Sequence, residues 1–409
     1  MRSDQIRTTF LDYFGGLGHL EVPAGPLAPD EGDLLFTNAG MVQFKPYYLG
    51  LSRPPRSRLM SAQPCVRTVD IDRIGLTDRH ATAFEMLGNF AFDDYFKRES
   101  MAWALDLLTG GFGLERDRLW MTVLRGDEES VDLWRSLGVP EERIQRLGPD
   151  DNFWSMGVPG PSGPTSEIFY DRGPRVGRDG GPAVDSERFV ELWNLVFMQY
   201  RRGDSDDEIL GDLPGRHIDT GLGRDRLALV LQGVDNLQEI DVARSTLAAV
   251  RALTGRDDEP AAHRLVTDHV RTAVLLIAAG FRPGNEGRGY VVRRLLRRAV
   301  RRLVLLGVDE PGLGPVAASV PGGDPAVVEV VEREERTFRR TLRAGNRLLD
   351  TELRRGPLTG ETVFKLHDTY GFPVDLTVEI AGEAGVSVDT DGFARLMREH
   401  RERSRAGRQ

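Results

Sequence analysis

The sequence predicts an α+β protein in which a strand-rich N-terminal part is followed by an all-helical part. Alternating apolar runs, a hairpin pattern and Gly/Pro punctuation recur up to about residue 235, and beyond it the apolar spacing is helical almost to the C-terminus. At 409 residues the chain exceeds one ordinary domain, so two or three are expected, and the change of pattern divides it into 1–237 and 238–409. With 40% apolar and 29% charged residues, the composition is that of an ordinary globular chain.

Composition also excludes several classes. The longest apolar run, Ala273 to Ala279, is far too short to span a bilayer. The N-terminus reads as an amphipathic helix, with Ser3 as its cap and Ile6, Phe10, Leu11 and Phe14 on one face, not as a leader peptide. A cytoplasmic protein without a membrane partner is therefore expected. A single cysteine, Cys65, rules out an internal disulfide and a multi-thiolate zinc site, and no two histidines stand at i, i+3 or i, i+4. No metal ligands are assigned, and zinc is not expected. The net charge of −9 argues against indiscriminate nucleic-acid binding but leaves room for a local basic surface. Only Lys45, Lys97 and Lys365 are lysines, so nearly all positive charge is arginine, the better bidentate phosphate partner.

Taken in order, residues 34–50 read as a short strand, a turn at Asn38 to Gly40 and an amphipathic piece with aromatics. Cys65 to Asp70 alternates like a strand, and a polar loop leads back through Arg79 to Met86 and on to Phe90, as in an antiparallel hairpin. Arginines on both arms suit a triphosphate and a nearby phenylalanine suits a base, although exposed hairpins also carry arginine for solubility. Residues 151–173 hold so much Gly and Pro that they are expected to form a fixed loop carrying Trp154. Arg188 to Arg201 reads as a buried strand in which Asn194 needs a hydrogen-bond partner. His217 to Arg226, H-I-D-T-G-L-G-R-D-R, reads as a strand end, a turn with two glycines and a helix start. Asp219 there suits a substrate cation and Arg226 a phosphate, or Asp219 is simply a turn former.

In the helical half, Leu265 to Ala279 is one helix and Phe281 to Gly289 a loop. Tyr290 to Leu306 alternates apolar pairs with the arginine pairs Arg293/Arg294, Arg297/Arg298 and Arg301/Arg302, with no acid between Arg288 and Arg302. This predicts one buried face and one arginine-lined face, the footprint of a phosphate backbone. Residues 308–325 read as a linker, Ala326 to Arg355 as a long helix and Gly360 to Tyr370 as another, with Asp375 at the N-cap of the next.

Several motifs stand in a fixed order: T-N-A-G-M at 37–41, C-V-R at 65–67, R-H-x-T-x-F-E-M at 79–86, G-N-F at 88–90 and D-N-F-W at 151–154. They continue with W-N-L-V-F-M-Q at 193–199, D-T-G-L-G at 219–223, R-G-Y-V-V-R-R at 288–294 and D-T-Y-G-F-P-V-D-L-T at 368–377. Over essentially its whole length the sequence closely resembles the N-terminal half of the alanyl-tRNA synthetase family, class II aminoacyl-tRNA synthetases. The resemblance implies an antiparallel sheet flanked by helices, a helical tRNA-recognition domain, and a ligase that activates L-alanine with Mg2+ and ATP before transferring it to alanine tRNA.

Residue by residue, the resemblance makes Arg67 the α-phosphate arginine, Phe84 the adenine-stacking ring, and His80 the other hairpin position at the ATP site. Arg226 meets the ATP phosphates from the opposite side. Asp219 binds the alanine ammonium, Gly221 keeps the turn open, and Trp154, Asn194 and Val196 wall the side-chain pocket. Asn285 and Asp375 match the readers of the acceptor stem's G·U wobble pair, with Arg293, Arg294, Arg297 and Arg298 in a stripe along its backbone. Departures are Ser162 and Thr165 at usual cysteine positions, Ala83 in place of an aromatic, and Arg224-Asp225 in place of a Leu/Met-Glu pair.

The chain ends where the family continues into editing and C-terminal domains, so it reads as a piece cut at that boundary or a naturally short homologue, and as a monomer. A pocket sized for a methyl group rejects serine and glycine poorly, so both are expected to be activated. The alternative is a synthetase-like ligase that passes activated alanine to a small molecule or carrier protein instead of tRNA. A non-enzymatic paralogue would have lost Arg67, Asp219 or Arg226, and all three are present.

Overall fold

The strand-rich half builds one sheet. Its strands are β1 (Leu20–Glu21), β2 (Arg58–Val66), β3 (Ala83–Phe92), β4 (Leu119–Leu124), β5 (Ile144–Leu147), β6 (Phe153–Ser155), β7 (Gly160–Asp171), β8 (Phe189–Arg202) and β9 (Ile209–Gly223). They run in the order β1-β2-β3-β9-β8-β7-β4-β5, with β6 paired to β7 alone. All pairings are antiparallel except β1 with β2 and β4 with β5. The computed structural model describes residues 1–29, 34–156, 158–205 and 208–406. These divide into two units, Met1–Leu247 and Ala248–Gln409. The division falls later than the change of sequence pattern because Leu237, Ile240 and Ala243 are buried in the core of the first unit.

Alternation along β8 shows how the sheet is sided. Trp193, Leu195 and Phe197 enter one core, together with Ile6 and Phe10 of the helix Ser3–Gly16. Val196 and Met198 enter another, with Met41, Phe44 and Tyr48. With a period of two, everything paired across from Val196 shares its face. Val196 pairs with Asp219, Asn194 with Gly221, and Asn194 also with Glu167 on β7. Four chemically distinct side chains are thereby placed on one face by register alone.

Several sequence expectations are corrected. Residues 34–39 form no strand; they lead into a 3-10 turn, Gly40–Phe44, and a short helix, Lys45–Tyr48. The hairpin exists, but its strands pair Val66 with Ala83, so Arg67 and Arg79 lie in the connection and not on the arms. Most of the expected 151–173 loop is strand, with Gly157 outside the described residues. Pro164 fits into β7 because the ladder with β8 slips between Ser162 and Thr165, where a missing N–H costs little, and Pro161 stands at the second residue of the strand, opposite Arg201. Gly163 is there because a Cβ would come within 2.0 Å of the Phe197 carbonyl oxygen. Ser3 is the first helical residue, not the cap; its N–H donates to Asp241 at 3.0 Å.

The second unit is helical. Its main helices are Pro260–Ala278, Gly287–Leu305, Pro325–Arg355, Gly360–Asp368, Val374–Glu383 and Thr390–Ala406. The expected linker contains a further short helix, Leu313–Ala318. Val266, Val270, Val292, Leu295, Leu296, Phe338 and Phe372 are buried in its interior. Gly371 adopts φ +67°, which ends the Gly360–Asp368 helix and frees Phe372 to turn inward.

Candidate active site

A cleft of about 650 Å3 opens on the Val196 face of the sheet. Its lining includes Arg67, His80, Phe84, Trp154, Asn194, Val196, Asp219, Gly221 and Arg226, nine residues drawn from separate stretches of the chain.

Asp219 forms the floor and is only 5% exposed. Burial alone pushes its carboxyl up to about 7, because a desolvated carboxylate without a nearby cation favours its neutral form. Asn194 is half-buried and donates its Nδ2–H to Glu167 at 2.8 Å. Its Oδ1 is buried without a partner. Gly221 does not sit in a turn, and its φ is not positive; it is a strand residue. Its role is clearance, since a Cβ would approach the Met86 sulfur to 2.8 Å.

On the other wall, the Arg67 guanidinium lies 5.0 Å from the centre of the Phe84 ring, and Arg67 Nε donates to the Asn38 carbonyl at 3.2 Å. His80 is held between Thr77 Oγ1 at 2.6 Å and Arg73 at 3.4 Å. Burial, followed by the charges of Arg79, Arg226 and Arg73, lowers its pKa to about 4, so the ring is neutral at pH 7. Arg226 stands in the first turn of the helix Arg224–Gln232 and donates to Glu191 at 2.6 Å.

The sequence reading missed Glu167 and Glu191. Both line the cleft although Glu191 and Asn194 are three residues apart on β8, because the β7–β8 ladder slips between the pairs of Ile168 and Phe169. Burial and the neighbouring Glu191 hold the Glu167 carboxyl well above its ordinary range. Burial acts on Glu191 in the same sense, but Arg226, with Arg67 and Arg79, outweighs it and keeps that carboxyl below its usual value. A charged residue inside an apolar strand, R-F-V-E-L-W-N, was the available signal.

In the helical unit, the predicted residues meet in one cluster. Arg293 donates to Asn285, and the Tyr290 hydroxyl donates to Asp375. Arg294 approaches Asp375 at 3.6 Å. Asp375 is therefore not a cap: the cap position is Pro373, and the carboxylate serves Tyr290 and Arg294. The arginine stripe is not an open cationic face either. Arg297 pairs with Glu334 at 2.8 Å, Arg298 with Glu379 at 2.9 Å, and Arg301 and Arg302 with Glu383. Arg298 and Arg301 are each only 7% exposed. The balancing acids come from the helices Pro325–Arg355 and Val374–Glu383, out of sight of any local charge pattern.

The family described as tRNA synthetases class II (A) matches residues 5–409. The alanine–tRNA ligase of Parafrankia sp. is 49% identical over 433 residues, covering 100% of this chain and 49% of its own length. That of Streptomyces avermitilis is 51% identical over 442 residues, covering 100% and 50%. The chain spans about half the length of the curated relatives it matches. Among solved structures, the apo histidyl-tRNA synthetase of S. aureus matches at 12% identity and a TM-score of 0.36, covering 62% of this chain and 76% of that one.

Proposed function

The chain belongs to the class II tRNA synthetases (A), and on that premise we propose that it activates L-alanine with ATP and passes the alanyl group to alanine tRNA. The observation that carries the reading is Asp219, a buried carboxyl pushed up to about 7 in a cleft that Arg67, Phe84 and Arg226 also line. Such a carboxyl gains a counter-ion only when a cation enters, and the α-ammonium of an amino acid is one. Val196, paired with Asp219, and Trp154 line the same cleft and would face the alanine side chain.

In this reading the alanine carboxylate attacks the α-phosphorus of ATP, the α–β phosphoanhydride bond breaks, and pyrophosphate leaves. A ribose hydroxyl at the tRNA 3′ end then attacks the acyl carbon, and AMP leaves with the electron pair of the broken mixed anhydride. Both steps demand alignment and charge neutralisation more than an acid–base pair. Asp219 anchors the ammonium, Arg67 and Arg226 offset phosphate charge, and Phe84 and neutral His80 shape the nucleotide side.

Mg2+ fits this cleft as a companion of the nucleotide. Among the described residues no group of three or more His, Cys, Asp or Glu side chains could hold a metal unaided. Glu167, whose carboxyl burial and the neighbouring Glu191 hold above its ordinary range, would together with Glu191 hold an ion brought in by phosphates. When bound, the ion neutralises phosphate charge. In the helical unit, Asn285, Arg293, Arg294 and Asp375 would meet the acceptor stem, while Arg297 and Arg298 support them from within. The proposal also includes a cytoplasmic location and a monomeric state; no helix among the described residues is long and apolar enough to cross a membrane.

The test is transfer of labelled alanine to alanine tRNA carrying or lacking the wobble pair. Charging that depends on the pair supports the proposal. Adenylate formation without charging of either tRNA overturns its second half.

A further inference from the structure

The two residues that depart from the family pattern just before Arg226 have a shared task. Arg224 is the first residue of the helix Arg224–Gln232, and its guanidinium is nearly buried, with a side-chain exposure of 12%. Its Nε and Nη2 donate to Asp225 Oδ1 at 2.9 and 2.7 Å, and its Nη1 donates to Glu85 Oε2 at 2.6 Å. Arg7, from the helix Ser3–Gly16, reaches the same Glu85 Oε2 at 3.0 Å. Two guanidiniums and two carboxylates thus join three elements: the N-terminal helix, strand β3 and the helix that carries Arg226.

Placement gives this clasp its meaning. Glu85 lies between Phe84 and Met86, which both line the cleft, so alternation sends it to the opposite face of β3. Arg224 therefore grips β3 from behind the cleft floor. At its other end it holds Asp225, itself in the cleft lining, next in sequence to Arg226. The helix start has no side-chain cap at Gly223. The charge-assisted hydrogen bond to Glu85 ties that turn to β3, beside the bonds of Arg226 to Glu191 and to the Arg79 carbonyl.

We propose that Arg224 is a positioning residue for the nucleotide half of the site, setting the distance between Phe84 on β3 and Arg226 on the helix by holding Glu85 and Asp225 at once. Arg224 touches no substrate. The inference rests on the reading that the cleft binds ATP between these two walls. It separates the nucleotide side from the amino-acid side, because Asp219, Asn194 and Val196 are fixed by the β8–β9 ladder and not by the clasp.

The experiment is calorimetric titration of ATP into the full chain as wild type, R224M and R224K, with the alanine KM measured alongside in ATP–pyrophosphate exchange. R224M is expected to weaken ATP binding roughly tenfold or more, as small misplacements of phosphate-binding groups do, while the alanine KM stays within about twofold. R224K, which keeps the charge but cannot reach both carboxylates with a planar fork, recovers part of the loss. If R224M fails to fold, the pair R224M/D225N removes the stranded carboxylate and is read in its place. Folded variants with wild-type ATP affinity, or with ATP and alanine weakened alike, overturn the proposal. Absence of ATP binding by the wild type would instead sink the functional reading, and the clasp with it.

Discussion

The cleft and the arginine helix both concentrate charge, yet they do so in opposite ways. In the cleft, Asp219 is buried with its carboxyl raised by desolvation alone, and Asn194 keeps a buried oxygen without a partner. On the helix Gly287–Leu305, Arg297, Arg298, Arg301 and Arg302 are tied to Glu334, Glu379 and Glu383. A folded chain normally satisfies what it buries. Polar groups left unsatisfied in a concavity mark where a ligand completes the structure, while satisfied ones mark architecture. In the sequence the arginine stripe is conspicuous by repetition, whereas Asp219 stands out only through its Gly-rich setting, which also suits a simple turn former.

The sharpest way to break this comparison is Asp219→Asn. Alanine-dependent exchange should fall to background, yet the protein should melt no earlier than wild type, since a carboxyl raised by burial is a cost to the empty fold. Retained exchange, or a large loss of stability, would place Asp219 among the architectural groups. Arg298→Met should do the reverse. It removes the nearest cation of Glu379, leaving Arg302 and Arg301 at 3.6 and 3.7 Å, and urea unfolding of the helical unit should show a loss of about 1.5–3 kcal/mol, against less than ~1 kcal/mol for the more exposed Arg293→Gln. Equal costs for the two would mean that the stripe is uniform after all.

A third prediction follows from the titration of Asp219. Its folded pKa is raised to about 7, so the carboxylate that binds a cation is lost as pH falls through 7. The alanine KM should therefore rise by about tenfold per pH unit below 7 and level off above it. For the empty protein the sign is opposite: the raised pKa favours the fold at low pH, and that contribution is lost as pH rises toward and through about 7. A flat KM between pH 5.5 and 8, roughly the span that brackets this titration, would contradict the assignment. The smallest effect is expected for Tyr290→Phe, which removes the hydroxyl held on Asp375. Discrimination between tRNAs with and without the wobble pair should drop by a few-fold, in line with ~1 kcal/mol for one hydrogen bond; unchanged discrimination would detach Asp375 from recognition.

What could be read in advance follows the range of the interactions. The long apolar strand from Arg188 and the strand-to-helix passage at Gly223–Arg224 are local patterns, and both are present. The Gly/Pro run at 160–171 was misread because its strand character depends on neighbours on both sides and on one close approach, at Gly163 to Phe197. Glu191 escaped notice because its place in the cleft depends on a ladder slip, which no periodicity announces. The acids that neutralise the arginine stripe lie from Glu334 to Glu383, on other helices, and only the folded unit brings them in. The motif residues line one cleft, and Arg224 and Glu85 find each other across 139 residues.

The most direct test is alanine-dependent ATP–pyrophosphate exchange by the unaltered chain, without tRNA. The account predicts exchange that saturates with alanine and disappears when alanine is omitted. A folded protein that binds ATP yet exchanges no pyrophosphate at any alanine concentration would contradict it.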